Sequence, residues 1–171
     1  MITRLIGPGT DLACGMLLVF AMPDISKPLQ VYLVEDSPII RRLLASTIEA
    51  SGAQLIGQSA SADTAIADLS VLNPDLLVVD IALSSGNGFD VLKALQERHF
   101  APTAIKVVFT NHVQAEYEQL SLSLGADGFF DKSADTSQVL ALISALARES
   151  RRKGTSLRSS SDRDLANRKP H

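Results

Sequence analysis

The chain has 171 residues, 46% of them apolar and 20% charged, with a formal net charge of −3, which suits one globular domain with a sizeable core and is short for two. The acidic balance and a pI near 5.6 argue against a nucleic-acid binder as a whole, and no apolar stretch reaches membrane-spanning length. Cys14 is the only cysteine, which excludes an internal disulfide and points to a reducing, cytoplasmic compartment.

Residues 1–28 read as an N-terminal extension. The run "LACGMLLVFAM" (12–22) raises the question of a signal peptide, but its flank is wrong for one. Arg4 is the only preceding cation, Asp11 stands directly before the run, and Gly-Pro-Gly lies at 7–9. A lipoprotein signal would place its apolar run before Cys14, not after it. An accessory helix packed on the domain, or a mis-assigned start with Met22 as the first residue, is the expected reading.

From Gln30 a regular alternation begins. "QVYLVE" (30–35) reads as a strand and 37–51 as a helix, with Ser37 as cap and Pro38 in the first turn. Ile40, Leu43, Leu44, Thr47 and Ile48 form one face of that helix. "AQLIGQ" (53–58) is a strand, 61–72 a helix ended by Asn73-Pro74, and "DLLVVD" (75–80) the most apolar strand. A Ser/Gly/Asn loop leads to a helix over 89–99, then come the strand "AIKVVFT" (104–110) and a helix over 113–125 stopped by Gly125. "GFFDK" (128–132) is the fifth strand, and 135–149 a last helix with Val139, Leu142, Ile143 and Leu146 at helical spacing. Five strand–helix units with doubly apolar central strands predict a doubly wound α/β domain over 29–149, its parallel sheet covered on both faces. Residues 150–171 carry seven Lys/Arg against Asp162 and Asp164, a net of +5, which leaves −8 on residues 1–149. This basic, Ser/Arg-rich segment is expected to be a disordered, solvated tail.

In open α/β sheets ligands sit at the carboxyl ends of the strands, where strand order reverses. Strand one delivers Glu35 and Asp36 there, strand three Asp80, strand four Thr110 and Asn111, and strand five Lys132. Each alone has a bland reading. Asp36-Ser37 would cap a helix, Asp80 would start a turn, Thr110 would end a strand and Lys132 would be a surface cation. Together, three carboxylates crowded at one edge repel unless they share a cation, and Mg²⁺ (or Mn²⁺) suits such oxygen donors. The set reads as an aspartate poised to accept a phosphoryl group, with metal and lysine stabilising the transferred charge.

At these residues the sequence resembles a response-regulator receiver domain of the CheY-like kind. The resemblance covers roughly 29–149 and rests on "VEDS" (34–37), "LLVVDIAL" (76–83), "SGNGFDVL" (85–92), "VVFTN" (107–111) and "GADGFFDKS" (125–133). It implies a five-stranded sheet in the order 2-1-3-4-5, with Asp80 as phosphoacceptor. Asp36, Asp80 and the Ala82 carbonyl would be metal ligands, and Glu35 would act through water. Thr110 would be the switch hydroxyl, Lys132 the phosphoryl-binding cation and Phe129 the switch aromatic. The chain departs from many relatives in having Ser133 and Ser84 where prolines are common, Ala82 at a position that is often polar, and Phe129 where tyrosine is frequent.

The implied function is phosphorelay signalling without enzymatic turnover beyond self-phosphorylation from small donors and self-dephosphorylation. The donor would be a sensor histidine kinase or a histidine phosphotransfer protein. A downstream protein would read the face made by the fourth helix, fifth strand and fifth helix, including Tyr117; the same face can serve as a homodimer surface. No DNA-binding domain is evident, so a stand-alone receiver is expected. A haloacid-dehalogenase-type phosphatase would need an acid at Ala82, and a flavodoxin-like FMN site would not place Glu35-Asp36 against phosphate. The other reading is a receiver-like binding module that works without phosphorylation. If residues 1–26 are accessory, deleting them leaves the melting temperature and phosphorylation by acetyl phosphate nearly unchanged; a large loss of stability would place them in the core.

Overall fold

Leu76–Val79, buried on both faces, form the middle strand of a five-stranded parallel sheet. The computed structural model describes residues 27–166, with side chains to Arg152. In chain order the elements are β1 (Gln30–Val34), α1 (Pro38–Ala50), β2 (Gln54–Ser59), α2 (Ala62–Leu69), β3 (Leu76–Val79), α3 (Gly88–Arg98), β4 (Ile105–Thr110), α4 (Ala115–Ser123), β5 (Gly128–Asp131) and α5 (Thr136–Ala166). The sheet order is β2-β1-β3-β4-β5, with every neighbouring pair parallel. This is the expected doubly wound arrangement.

Period-two alternation sorts the strand side chains into two layers. Val31, Leu33, Val78 and Phe109 face α1 and α5, where they meet Leu44, Ile48, Val139 and Ile143. Tyr32, Val34, Leu77 and Val79 face α2 and α3, against Ala65, Leu69, Val91 and Leu95. A smaller cluster of Ile81, Leu92, Val108 and Ala126 packs with Phe89, Tyr117, Leu124 and Phe129.

Helix α1 begins as expected, with the Ser37 hydroxyl accepting from the Ile40 N–H and Pro38 in the first turn. Its packed face is narrower than the sequence implies. Leu44 and Ile48 are buried and Ile40 partly so, whereas Leu43 is 38% exposed. Residues 40, 44 and 48 follow one i+4 ridge, and Leu43 turns about 100° away from Leu44.

In β1 a register shift between Val31 and Tyr32 sets Tyr32 opposite Gly57. A Cβ at Gly57 would stand 2.6 Å from the Tyr32 ring, so glycine makes room for it. The buried phenol donates to Asp68 Oδ2 at 2.6 Å, which ties β1 to α2.

The last helix differs from expectation. It does not end at Glu149 but continues to Ala166, so the disorder expected from Ser150 onward does not apply to 150–166. Low apolar content argued for disorder because such a segment cannot bury surface. A segment that prolongs an already packed helix avoids the nucleation cost, however, and no proline intervenes before Pro170. Its first turn is also held: Ser150 Oγ donates to the Lys27 carbonyl at 2.9 Å, and Arg151 Nη1 to the Ser51 carbonyl at 2.6 Å. The extension at 1–26 and the final residues 167–171 lie outside the described residues. Among the described residues no helix is long and apolar enough to cross a membrane.

Burial, then the bond to the Asp68 carboxylate, pushes the Tyr32 phenol above its ordinary range. Because the unfolded chain ionises this tyrosine near pH 10 and the folded chain does not, stability falls as pH rises above about 10. Tyr32→Phe is expected to flatten that alkaline loss in urea titrations, at a cost of about 1 kcal/mol near neutrality from the lost hydrogen bond. An unchanged alkaline slope would remove Tyr32 as its source.

Candidate functional site

The carboxyl ends of β1, β3 and β5 bring two buried acids onto one ammonium. Asp80 is 5% and Glu35 2% exposed. Lys132 Nζ lies 2.6 Å from Asp80 Oδ2, 2.7 Å from Glu35 Oε2 and 2.9 Å from Glu35 Oε1. The main chain fixes both acids by prolonging the ladder one residue past the strands, with Asp80 N–H donating to Val34 O and Glu35 N–H to Ser59 O. Asp80 Oδ1 accepts the Ala82 N–H at 3.3 Å and Glu35 Oε1 the Ser37 N–H at 3.0 Å. Lys132 also lies 5.9 Å from the centre of the Phe109 ring, which forms part of its floor.

Asp36 completes the acidic group from the exposed side, and one oxygen from each of Glu35, Asp36 and Asp80 lies within 4.8 Å of the others. With all three ionised, three carboxylates against one ammonium leave two negative charges uncompensated. Burial pushes the Glu35 carboxyl above its ordinary range, and the Lys132 ammonium only partly offsets this. An all-oxygen donor set with surplus negative charge is the chemistry that a hard divalent cation matches, so the cluster could hold a metal ion.

The loops around the site are tied down by hydrogen bonds. After Asp80, Ser84 donates through both N–H and Oγ to the Ala60 carbonyl, at 3.0 and 2.7 Å, and Ala62 N–H donates to Ser85 O. Asn87 and Asp90 form a reciprocal capping box that starts α3. Gly88 must be glycine, because a Cβ there would run into the Asp80 carbonyl oxygen. After β5, the Asp131 carboxylate accepts both the N–H and the hydroxyl of Ser133, at 2.7 and 2.6 Å. Those bonds hold the Asp131 carboxyl below its ordinary range. No cis peptide bond occurs among the described residues, so the corner after Lys132 is built by Ser133 on a trans backbone.

Of the residues singled out from sequence, Glu35, Asp36, Asp80 and Lys132 converge. Ala82 adjoins them through its N–H on Asp80. Thr110 is fully buried at the end of β4, its hydroxyl oxygen accepting the His112 N–H at 3.2 Å. Phe129 lies one strand over, opposite Val108 and packed in the cluster beneath α4. Tyr117, placed by sequence on the partner-reading face, is half-buried against Phe89, edge to face at 5.4 Å. The ties made by Ser84, Asp131, Ser133 and Thr136 are the elements that sequence reasoning missed. An Asp-x-Ser step at a strand end was the available signal for the second of these ties.

A strand-end aspartate paired with a lysine in a 2-1-3-4-5 parallel sheet defines the CheY-like receiver fold. The sequence matches the response regulator receiver domain over residues 31–144, and the chain belongs to that family. It is 33% identical over 118 residues to protein-glutamate methylesterase/protein-glutamine glutaminase 2 of Vibrio vulnificus, covering 67% of this chain and 34% of that protein. It is 28% identical over 131 residues to the nitrate/nitrite response regulator protein NarP of Escherichia coli, covering 76% and 60%. The chain thus spans between a third and three-fifths of these relatives. Among solved structures, the CheY-like response regulator receiver domain protein of Methanospirillum hungatei superposes with a TM-score of 0.61 at 23% identity, over 72% of this chain and 97% of that one.

If surplus negative charge strains the cluster, Asp36→Asn raises the melting temperature in the absence of divalent ions, by the equivalent of about 0.5–1 kcal/mol. Saturating Mg²⁺ is expected to abolish or reverse that gain. No gain without divalent ions would show that Asp36 suffers no repulsion, and equal gains with and without Mg²⁺ would show that it contributes nothing to cation binding.

Proposed function

We propose that Asp80 accepts a phosphoryl group from the phosphohistidine of a sensor histidine kinase or histidine phosphotransfer protein, and that a partner protein reads the result. The observation that carries this reading is the buried Asp80 carboxylate, held by Lys132 at 2.6 Å beside Glu35 and Asp36. In the transfer a carboxylate oxygen of Asp80 bonds to phosphorus, the phosphorus–nitrogen bond breaks, and the imidazole nitrogen leaves with the electron pair. The product is an acyl phosphate.

Lys132 stands where it can neutralise a phosphoryl oxygen as readily as the Asp80 carboxylate, so its ammonium stays in the site throughout. Asp36, Asp80 and the Ala82 carbonyl would hold Mg²⁺, with Glu35 acting through water, and the ion would supply charge neutralisation for the incoming group. Burial of Asp80 and Lys132 excludes most water and strengthens these interactions. The chain acts as an acceptor and switch, not as a turnover enzyme.

A new phosphoryl group changes what Thr110 and Lys132 find to bond. Drawing the Thr110 hydroxyl away from the His112 N–H frees the loop between β4 and α4. That loop leads into α4, whose only buried residue is Ser121, so the helix is lightly held. Phe129 and Tyr117 then have room to rearrange. The face of α4, β5 and α5 is where a partner would read the change.

The test is the intact mass after incubation with acetyl phosphate, with and without Mg²⁺. A gain of one phosphoryl group that needs the metal and is lost in Asp80→Asn is expected. Lys132→Ala is expected to abolish the accompanying conformational response, read by the NMR shifts of Thr110 and Phe129. No mass gain on incubation with acetyl phosphate or with phosphohistidine donors, in a folded protein, would sink the proposal and favour a phosphorylation-independent binding module.

A further inference from the structure

The corner that carries Lys132 out of the sheet is held by side chains on both sides of the lysine. Lys132 N–H donates to the Thr110 carbonyl at 2.9 Å, and the Lys132 carbonyl accepts the Thr136 hydroxyl at 2.6 Å. One residue earlier, Asp131 N–H donates to Asp135 Oδ2 at 3.0 Å, and Asp135 N–H returns a bond to the Asp131 carbonyl at 2.7 Å. One residue later, Ser133 is clasped through its N–H and hydroxyl to Asp131 Oδ1.

Without this clasp, the backbone at Ser133 would turn freely. A serine lacks the ring that fixes φ in a proline, and the residue is exposed with no core packing to hold it. Beyond the lysine, the first buried core residue is Val139. Yet the lysine it follows must place one nitrogen within 2.6–2.9 Å of three carboxylate oxygens. Lysine has a long, flexible stem, so precision at Nζ depends on a fixed main chain.

We propose that Asp131, Ser133 and Thr136 are positioning residues that hold Lys132 for phosphoryl transfer, a hydrogen-bonded clasp doing the work of a rigid corner. The inference rests on the reading of Lys132 given above, but its geometry does not. Asp131 and Ser133 reach neither the carboxylate cluster nor the apolar core. They act only through the main chain on either side of the lysine.

The experiment uses the full chain with Ser133→Ala, Ser133→Thr, Asp131→Ala and Thr136→Val. Two quantities are read: the maximal rate of Asp80 phosphorylation by acetyl phosphate, and solvent exchange of the Lys132 Nζ protons by NMR. A displacement of an ångström can cost about a hundredfold in rate, so a partial loosening should lower the rate roughly tenfold in Asp131→Ala and less in Ser133→Ala, which keeps the backbone bond. Nζ exchange should accelerate in the same order, with Ser133→Thr restoring both. A lower rate with unchanged Nζ exchange, or wild-type values of both in Asp131→Ala, would overturn the inference. Failure of the wild-type chain to take up phosphate would sink the functional reading alone, because Nζ exchange still reports the clasp. Should Asp131→Ala or Thr136→Val melt early, the exposed Ser133→Ala and Ser133→Thr pair decides the question.

Discussion

One ammonium, that of Lys132, makes it tolerable to bury two carboxylates at the end of a sheet. Removing an ion from water costs several kcal/mol even after relaxation, and a buried pair recovers this only with good geometry and further hydrogen bonds. Here both conditions are met: the three short contacts to Asp80 and Glu35 are supported by amide donors from Ser37 and Ala82. The arrangement demands that β1, β3 and β5 end at the same level. The parallel sheet, with β4 between β3 and β5, provides that level. Even so, the balance is incomplete. Glu35 still holds its proton more tightly than usual because burial outweighs the lysine. A site left in this state of charge is receptive to cations and to chemistry that rearranges anionic oxygens.

The strands and their parallel, doubly wound sheet were legible because they rest on strong local signals, whereas the strand order followed from the resemblance to receiver domains. Leu76–Val79 can only be a central strand, and Ser37-Pro38 marks a helix start that the structure reproduces. The charged cluster was legible for a different reason. Its members lie at strand ends, where topology brings together residues that are distant in sequence. What escaped notice depends on tertiary neighbours or on bonds between loops. Leu43 fits a helical stripe, but among the described residues it is left 38% exposed. Tyr117 looks like a surface aromatic until Phe89 is set beside it. The extension of α5 escaped because composition reports burial, whereas helix propagation depends on what precedes the segment.

The two departures from proline, at Ser84 and Ser133, share one physical theme. Proline restricts a loop by limiting the conformations open to the chain in every state. A serine restricts it only where an acceptor is in reach, which for Ser84 is the Ala60 carbonyl and for Ser133 the Asp131 carboxylate. Both loops border the same acid, one following Asp80 and the other carrying its lysine. Their order is therefore conditional on the folded neighbourhood and is maintained by groups that can exchange partners.

Helix α5 begins at Thr136, whose hydroxyl holds the Lys132 carbonyl, and is braced near its middle by Ser150 on Lys27 and Arg151 on Ser51. Seen mechanically, this is a beam with its near end at the charged cluster and a pivot roughly halfway along. At 1.5 Å per residue the portion beyond Arg151 is about 22 Å long, and a tilt of about 5° at the pivot sweeps its tip through roughly 2 Å. With the pivot halfway along, a shift of the near end reaches Ala166 at about equal size, and the core packing of Val139, Ile143 and Ala147 sets its limit. Whatever meets the far end of that helix is placed to sense the angle at which its near end sits.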